Sequence, residues 1–466
     1  MAINRRKFLS GAGVAAATLA GCGKTSTAGT QQTSGEQLSA LSKAVEKPNI
    51  LLLCIDDLRD WVGYKAAHPG VHTPNIDRLR SQSFSYDRAY CAVPVCIASR
   101  GSTLWGLTPE TAQLDGLEDD KPYSALSKSK DLHPLPYWFS QAGYETISTG
   151  KVFHYQMGTR RFWDVFEPYT NIPLAWGDHG TLFDFGLQEE GKVHQDQVAA
   201  NFAKAQFASS HEKPWFMSIG LFQPHVPWRL PQWAYDLHPL EDVVLPEVRQ
   251  DDLDDMPPLA VDLAHKPASM LNGTLFKQHD AVMQSGLWRE HVQAYLAACS
   301  HTDAMVGQIL DALDSSAYAE NTAVVLWSDH GYHLGEKLHW RKMALWEHAT
   351  RIPLLVRAPW RVQGGGSFSA PVSLVDLAPT LTDLAGFAPP EQFEGESLIG
   401  ITQEQAASRP AHMRWGTAVS TRKGKWRWTR YEDGGQELYN LEEDPREYNN
   451  LLGKTGTLKG GLASLA

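Results

Sequence analysis

The chain has 466 residues, too long for one simple core, which points to a large domain with a smaller companion. Its 42% hydrophobic and 20% charged composition is that of a soluble globular protein. A net charge of −11 makes nucleic acid a poor partner, and an anionic ligand would need a local patch of Lys, Arg, His or metal.

The N-terminal segment reads as an export signal. Arg5, Arg6 and Lys7 precede a weakly apolar, Gly- and Ala-rich run from Gly11 to Ala20, a pattern similar to a twin-arginine signal. Leu19-Ala-Gly-Cys22 follows and looks like a bacterial lipobox, with Cys22 as the lipidated residue. The expected product is an exported bacterial protein, periplasmic or held to the envelope by a lipid anchor. Residues 1–21 would then be the signal and 22–46 a flexible tether. Nothing after residue 21 is long and apolar enough to span a membrane.

Pro48 to Ile55 is a continuous apolar run, suited to a strand buried on both faces of a parallel sheet. It stops at Asp56-Asp57, two carboxylates that are costly to bury unless paired or bound to a cation. A solvated turn is the plain alternative. Thr73-Pro74 reads as the N-cap and first residue of a helix.

Next comes Cys91-Ala-Val-Pro-Val-Cys96-Ile-Ala-Ser-Arg100, which holds two of the five cysteines (Cys22, Cys54, Cys91, Cys96, Cys299). An odd number without regular spacing is not a disulfide framework, and no zinc-type cluster is present. A thiol on a loop entering a helix would have its thiolate favoured by free N–H groups, and Arg100 would face the same way one turn later. A buried, inert thiol is the default for a lone cysteine.

Residues 107–131 read as a polar surface excursion, Leu135 to Ala142 as a helix and Tyr144 to Thr149 as a strand followed by Lys151 and His154. Residues 155–192 carry aromatics, Gly and Pro without clear periodicity, as loops near a cleft would. Asp196 to Ser209 is helical, and Pro214 to Phe222 is a buried strand ending at His225, between two prolines. Residues 229–285 look irregular; Glu290 to Leu313 is an amphipathic helix. Thr322 to Ser328 repeats the opening pattern and ends at Asp329-His330. Arg341 and Lys342 follow, then a strand from Ile352 and a helix from Val372 to Ala385. After about residue 400, short alternating segments predict a small antiparallel sheet. The fold class is α/β, with a large, mostly parallel sheet between helices over 47–400 and a smaller antiparallel subdomain over 401–466.

Ligands of open α/β sheets gather at the carboxyl ends of strands. Asp56, Asp57, Asp329 and His330 would meet there as an oxygen-rich site for Ca²⁺ or Mg²⁺. Arg100, Lys151, His154, His225 and Lys342 would add a basic ring suited to sulfate or phosphate.

With these motifs in this order, the chain resembles the type I sulfatases of the alkaline phosphatase superfamily, in pattern the iduronate-2-sulfatase branch. The resemblance runs from about residue 48 to 452. It rests on Asp56-Asp57, Thr73 to Leu79, Gly150-Lys151-Val-Phe-His154, Pro224-His225-Val-Pro227, Ser328-Asp329-His330-Gly331, Gly335-Glu336, Lys342, Glu437 to Leu441 and Asp444-Pro445. It implies that Cys96 is converted to formylglycine by a maturation enzyme. One hydroxyl of the aldehyde hydrate would attack sulfur, and loss of a proton from the other would expel sulfate. It implies Asp56, Asp57, Asp329, His330 and modified Cys96 as Ca²⁺ ligands. Arg100 and Lys151 would hold the nucleophile and sulfate, His154 would assist deprotonation, and His225 and Lys342 would bind sulfate and protonate the leaving oxygen. The family signature is Cys-x-Pro-Ser-Arg; here alanine, Ala98, replaces the proline. Proline in that signature helps the maturation enzyme accept the segment. No Arg follows Cys91 at the required spacing, so Cys91 is a structural thiol.

The resemblance implies a sulfated carbohydrate as substrate, in line with sixteen tryptophans, of which Trp228 and Trp340 are placed near the mouth. The alternatives are a phosphatase or phosphodiesterase of the same superfamily, or a catalytically silent protein binding sulfated glycans.

Overall fold

Asn49–Asp56 forms β1, and every one of its residues is buried. In the computed structural model, which describes residues 45–116, 121–154, 159–168, 182–266, 268–271 and 274–453, this strand lies inside an eight-stranded sheet. The other strands are Phe84–Tyr86 (β2), Glu145–Gly150 (β3), Val165–Glu167 (β4), Trp215–Pro224 (β5), Thr322–Ser328 (β6), Leu354–Arg357 (β7) and Ser367–Phe368 (β8). The order is β8-β2-β7-β6-β1-β5-β3-β4. β1 runs parallel to both β6 and β5, and only β7 is antiparallel to its neighbours.

The continuous apolar run of β1 is explained by helices on both faces. Ile50, Leu52 and Cys54 point into one core, Leu51, Leu53 and Ile55 into the other. The first core is closed by Cys96–Trp105 (α2), Leu135–Gln141 (α3) and Leu377–Leu384 (α6). The second is closed by Pro74–Gln82 (α1), Gln195–Ala208 (α4) and the 27-residue Trp288–Asp314 (α5). This is the predicted α/β sandwich.

Four further strands, Ala411–Trp415 (β9), Ala418–Lys423 (β10), Trp426–Arg430 (β11) and Gln436–Asn440 (β12), make the antiparallel C-terminal sheet. A buried ion network fastens it to the short helix Glu347–Thr350. Arg427 Nη2 donates to Glu347 Oε1 at 2.6 Å and its Nε lies 2.8 Å from Glu447 Oε1, while Arg422 Nε reaches Glu347 at 3.2 Å.

Several expectations need correction. Thr73 precedes α1, but its hydroxyl accepts from Gly63 N–H at 2.7 Å and does not cap the helix. Asp303 on α5 caps it instead, accepting from the N–H groups of Asn75 and Ile76. The helix expected from Val372 starts only at Leu377, after a short strand and a 3₁₀ turn, and residues 229–285 carry several short helices and a hairpin. Trp228 and Trp340 are fully buried in the second core, not at a mouth. Cys22, the export signal, the tether up to residue 44 and residues 117–120, 155–158 and 169–181 lie outside the described residues. Among the described residues no helix is long and apolar enough to cross a membrane.

Candidate active site

Parallel pairing of β1 with β6 sets Ile55 opposite Ser328, so the carboxylates at the ends of the two strands emerge side by side. Asp56, Asp57, Asp329 and His330 are all buried. Asp57 adopts a left-handed φ of 63°, and its N–H donates to Asp329 Oδ1 at 3.1 Å. The Tyr295 hydroxyl of α5 donates to the Asp57 carbonyl at 2.7 Å.

Cys96 is the first residue of α2, a helix buried along its whole length. Its Sγ lies 3.0 Å from Lys342 Nζ, 3.2 Å from His330 Nε2 and 4.0 Å from Asp57 Oδ1. Lys342 Nζ also donates to Asp57 Oδ1 at 2.7 Å. Burial alone would raise the Cys96 pKa, but Lys151, Lys342 and His330, with a hydrogen bond to His154, hold it well below the usual thiol value. The other described cysteines go the other way. Burial pushes Cys54 up to about 11 and raises Cys91 and Cys299 further. Burial would lower the His330 pKa, yet Asp329 and the Cys96 sulfur raise it to about 9.

Arg100 does not reach Cys96. Its Nε donates to Asp329 Oδ2 at 2.8 Å, its Nη1 to the carbonyls of Lys151 and of Val152 (2.9 Å), and its Nη2 lies 3.8 Å from Asp56 Oδ1. Ser99 Oγ donates to the Asp329 carbonyl at 2.5 Å. Lys151 pairs with Asp56 Oδ2. It gets there because Gly150 takes φ 74° and Gly220 lies beneath; a Cβ on Gly220 would fall 2.1 Å from the Lys151 carbonyl carbon. His225 follows β5, and its Nδ1 donates to the Val226 carbonyl, which leaves Nε2 as the nitrogen that can face a ligand.

All ten predicted residues of the described site therefore come together, with Cys96 at the point of convergence. Sequence reasoning passed over two supports. Tyr295 lies within the amphipathic helix expected from Glu290 to Leu313, and its hydroxyl holds the Asp57 carbonyl. Asp196 was read only as a helix start, whereas its carboxylate accepts the N–H groups of Phe222 (2.7 Å) and Gln223 (2.9 Å) and so fixes the segment leading to His225.

The donor set suits a hard divalent cation. Asp56, Cys96, Asp329 and His330 form one group with ligand atoms within 4.8 Å of one another, and Asp56, Asp57, Cys96 and His225 form another. Asp57 Oδ2 is buried with no hydrogen-bond partner among the described residues, an oxygen such a cation would satisfy.

The sulfatase family profile matches residues 48–387, and that of the N-sulphoglucosamine sulphohydrolase C-terminal region matches 335–459. A sulfatase of Formosa agariphila is 33% identical over 438 residues, covering 89% of this chain and 85% of its own. The chain belongs to the sulfatase family. It is a type I sulfatase of the alkaline phosphatase superfamily, and as an enzyme a sulfuric ester hydrolase. The sulfatase is also 29% identical to mouse iduronate 2-sulfatase, covering 75% of this chain and 70% of that one. Among solved structures, a 2-O GAG sulfatase superposes with a TM-score of 0.67 at 21% identity, covering 87% of this chain and 88% of that one. A phosphonate monoester hydrolase of Agrobacterium radiobacter superposes at 0.68 with 17% identity, covering 87% and 91%. At such identities these two speak for the fold alone. The family match favours the sulfatase reading over the phosphatase, phosphodiesterase and silent-binding alternatives.

Proposed function

We propose that this sulfatase removes sulfate from a sulfated carbohydrate, using formylglycine made from Cys96 and a Ca²⁺ ion. The observation that carries the reading is the convergence of Lys342, His330 and His154 on one buried sulfur atom beside three carboxylates. The carbohydrate part is supported by relatives whose names include iduronate 2-sulfatase and ulvan-active sulfatase, and by a solved neighbour in complex with D-glucosamine-2-N,6-O-disulfate.

Asp56, Asp57, Asp329, His330 and modified Cys96 would hold the cation. Bound there, Ca²⁺ would supply positive charge to the sulfate oxygens and lower the pKa of a neighbouring hydroxyl. The aldehyde hydrate would offer two hydroxyls at the position of the thiol, one to attack and one to lose the proton that frees sulfate. The remaining roles belong to the basic ring. Lys151 and Lys342 bind sulfate oxygens, their long side chains held by Asp56 and Asp57. Arg100 keeps Asp329 and the helix bearing Cys96 in one register. His154, hydrogen-bonded at Cys96, takes a proton from the hydrate. His225 binds sulfate through Nε2 and, with Lys342, protonates the leaving alcohol oxygen.

We also propose export through residues 1–21, lipid attachment at Cys22, a tether over 22–46, and a catalytic domain over 47–400 with its subdomain over 401–466. The decisive experiment is peptide mass analysis of the Cys96 segment after expression beside a formylglycine-maturation enzyme, with sulfate release measured on a panel of sulfated glycans. An aldehyde at Cys96 with release from a glycan is expected. A peptide found only as the intact thiol, with no release, sinks the reading.

A further inference from the structure

A second group of metal-ligating side chains lies outside the active site. His194 sits just before α4, Asp196 in its first turn and His301 midway along α5. One ligand atom from each lies within 4.8 Å of the others. Asp196 and His301 are buried, at 1% and 2% exposure. His301 Nδ1 has no hydrogen-bond partner among the described residues, and neither has the buried Oε1 of Gln223, whose Nε2 lies 3.5 Å from His194 Nε2. An imidazole nitrogen left bare in an interior is costly, so something polar belongs beside it.

The donor chemistry narrows what that is. Asp196 spends one lone pair of each oxygen on the Phe222 and Gln223 N–H groups and keeps the other free. His194 Nδ1 lies 3.8 Å from Asp196 Oδ2, and its lone pair takes the Asp196 N–H at 3.1 Å, a bond that a cation would replace. Two imidazoles and one carboxylate suit a borderline transition cation, whereas the active-site donors are mainly hard oxygens. Trp233 stacks on His301 with ring centroids 5.8 Å apart and is 42% exposed, and Val193 beside His194 is 57% exposed.

We propose that His194, Asp196 and His301 form a second metal site, for a divalent transition cation such as Zn²⁺ completed by water, that braces the strand end carrying His225. The brace follows from Asp196. It holds the main chain at Phe222 and Gln223, three and two residues before His225. A cation there would tie α4 to α5 and fix that carboxylate at once. The inference rests on these three side chains and not on the chemistry proposed for Cys96.

The test uses the full chain with Cys96→Ala, so that the active-site thiol does not compete for Zn²⁺. The protein is stripped with a chelator, saturated with Ca²⁺ to fill the oxygen-rich site, and titrated with Zn²⁺ against a chromophoric chelator. A single Zn²⁺ per chain is expected. His301→Gln should weaken it by about tenfold or more, and Asp329→Asn should leave it unchanged. Unaltered affinity in His301→Gln, or equal loss in Asp329→Asn, overturns the proposal. Wild-type crystals soaked in Zn²⁺ give a check that needs no variant. An anomalous peak at the zinc edge among the three side chains is expected, and water alone there refutes the site.

Discussion

Arg100 Nε donates to Asp329 Oδ2 at 2.8 Å, and both side chains are fully buried. The same guanidinium binds the carbonyls of Lys151 and Val152. One residue of α2 therefore ties together the ends of β6 and β3. Removing one partner of a buried pair leaves the other charge uncompensated, which costs about 3–5 kcal/mol. Arg100→Ala should lower the unfolding free energy by that order and abolish turnover. Arg100→Lys restores the charge but not the planar fork, so it should recover part of the stability and little of the activity. Urea unfolding and turnover of an aryl sulfate measure both. Wild-type stability in Arg100→Ala would contradict the role.

Asp329 stands between the cation proposed for the site and the rest of the cluster. It accepts from Arg100, from its neighbour's N–H at His330 and from Asp57 N–H. Asp329→Ala should abolish both Ca²⁺ binding, read by calorimetry, and sulfate release. The wild-type protein should also lose thermal stability on chelation and regain it with Ca²⁺, by about 2.7 kcal/mol at a hundredfold excess over Kd. Activity retained in Asp329→Ala would remove this residue from the ligand set.

Acid sensitivity has a component away from the reacting atoms. Burial would raise the Asp60 pKa, but Arg59, at 3.0 Å, lowers it from 3.8 to about 2. A carboxylate with a depressed folded pKa contributes stability that is present above its unfolded value and lost as pH falls through the folded one. That window is roughly pH 4 to 2 and is worth about 2 kcal/mol. Asp60→Asn should be less stable than wild type by that amount at neutral pH, with Arg59 still paired to Glu336 at 2.7 Å. Urea midpoints of the two proteins should converge as pH drops through the window. A difference that stays constant with pH would exclude the linkage.

The parts of the site that sequence made legible are those that ride on regular strands. Asp56 and Asp329 each end a continuous apolar run, and such runs in a parallel sheet must end on the same edge. Lys342 is different. It meets Cys96 across a separation of 246 residues, from a segment of short bridges and turns that no periodicity describes, and its charge alone placed it in the basic ring until the resemblance to a family gave it a role. Trp228 and Trp340 went wrong for a related reason. An aromatic next to a functional motif can line a cleft or fill the core beneath it, and in this chain both fill the core. Thr73 has the right residue type for a cap, but Asp303, far off in sequence, occupies the N–H groups it would have served.

The departure at Ala98 can be tested for its own effect. Ala98 is the third residue of α2, and the first N–H of the segment to bond four residues back is that of Ser99, to the Val95 carbonyl at 2.9 Å. A proline at 98 therefore removes no intrahelical bond. Its cost lies elsewhere, in the helical conformation it disfavours at Ile97 and in room for the ring at a fully buried position. Ala98→Pro should raise the fraction of chains carrying the aldehyde, with a small fall in unfolding midpoint. The two effects separate cleanly in one preparation, by peptide mass for the first and thermal unfolding for the second. Equal conversion in both proteins would mean that Ala98 is accepted as it stands and that the Ser99-Arg100 pair alone carries recognition.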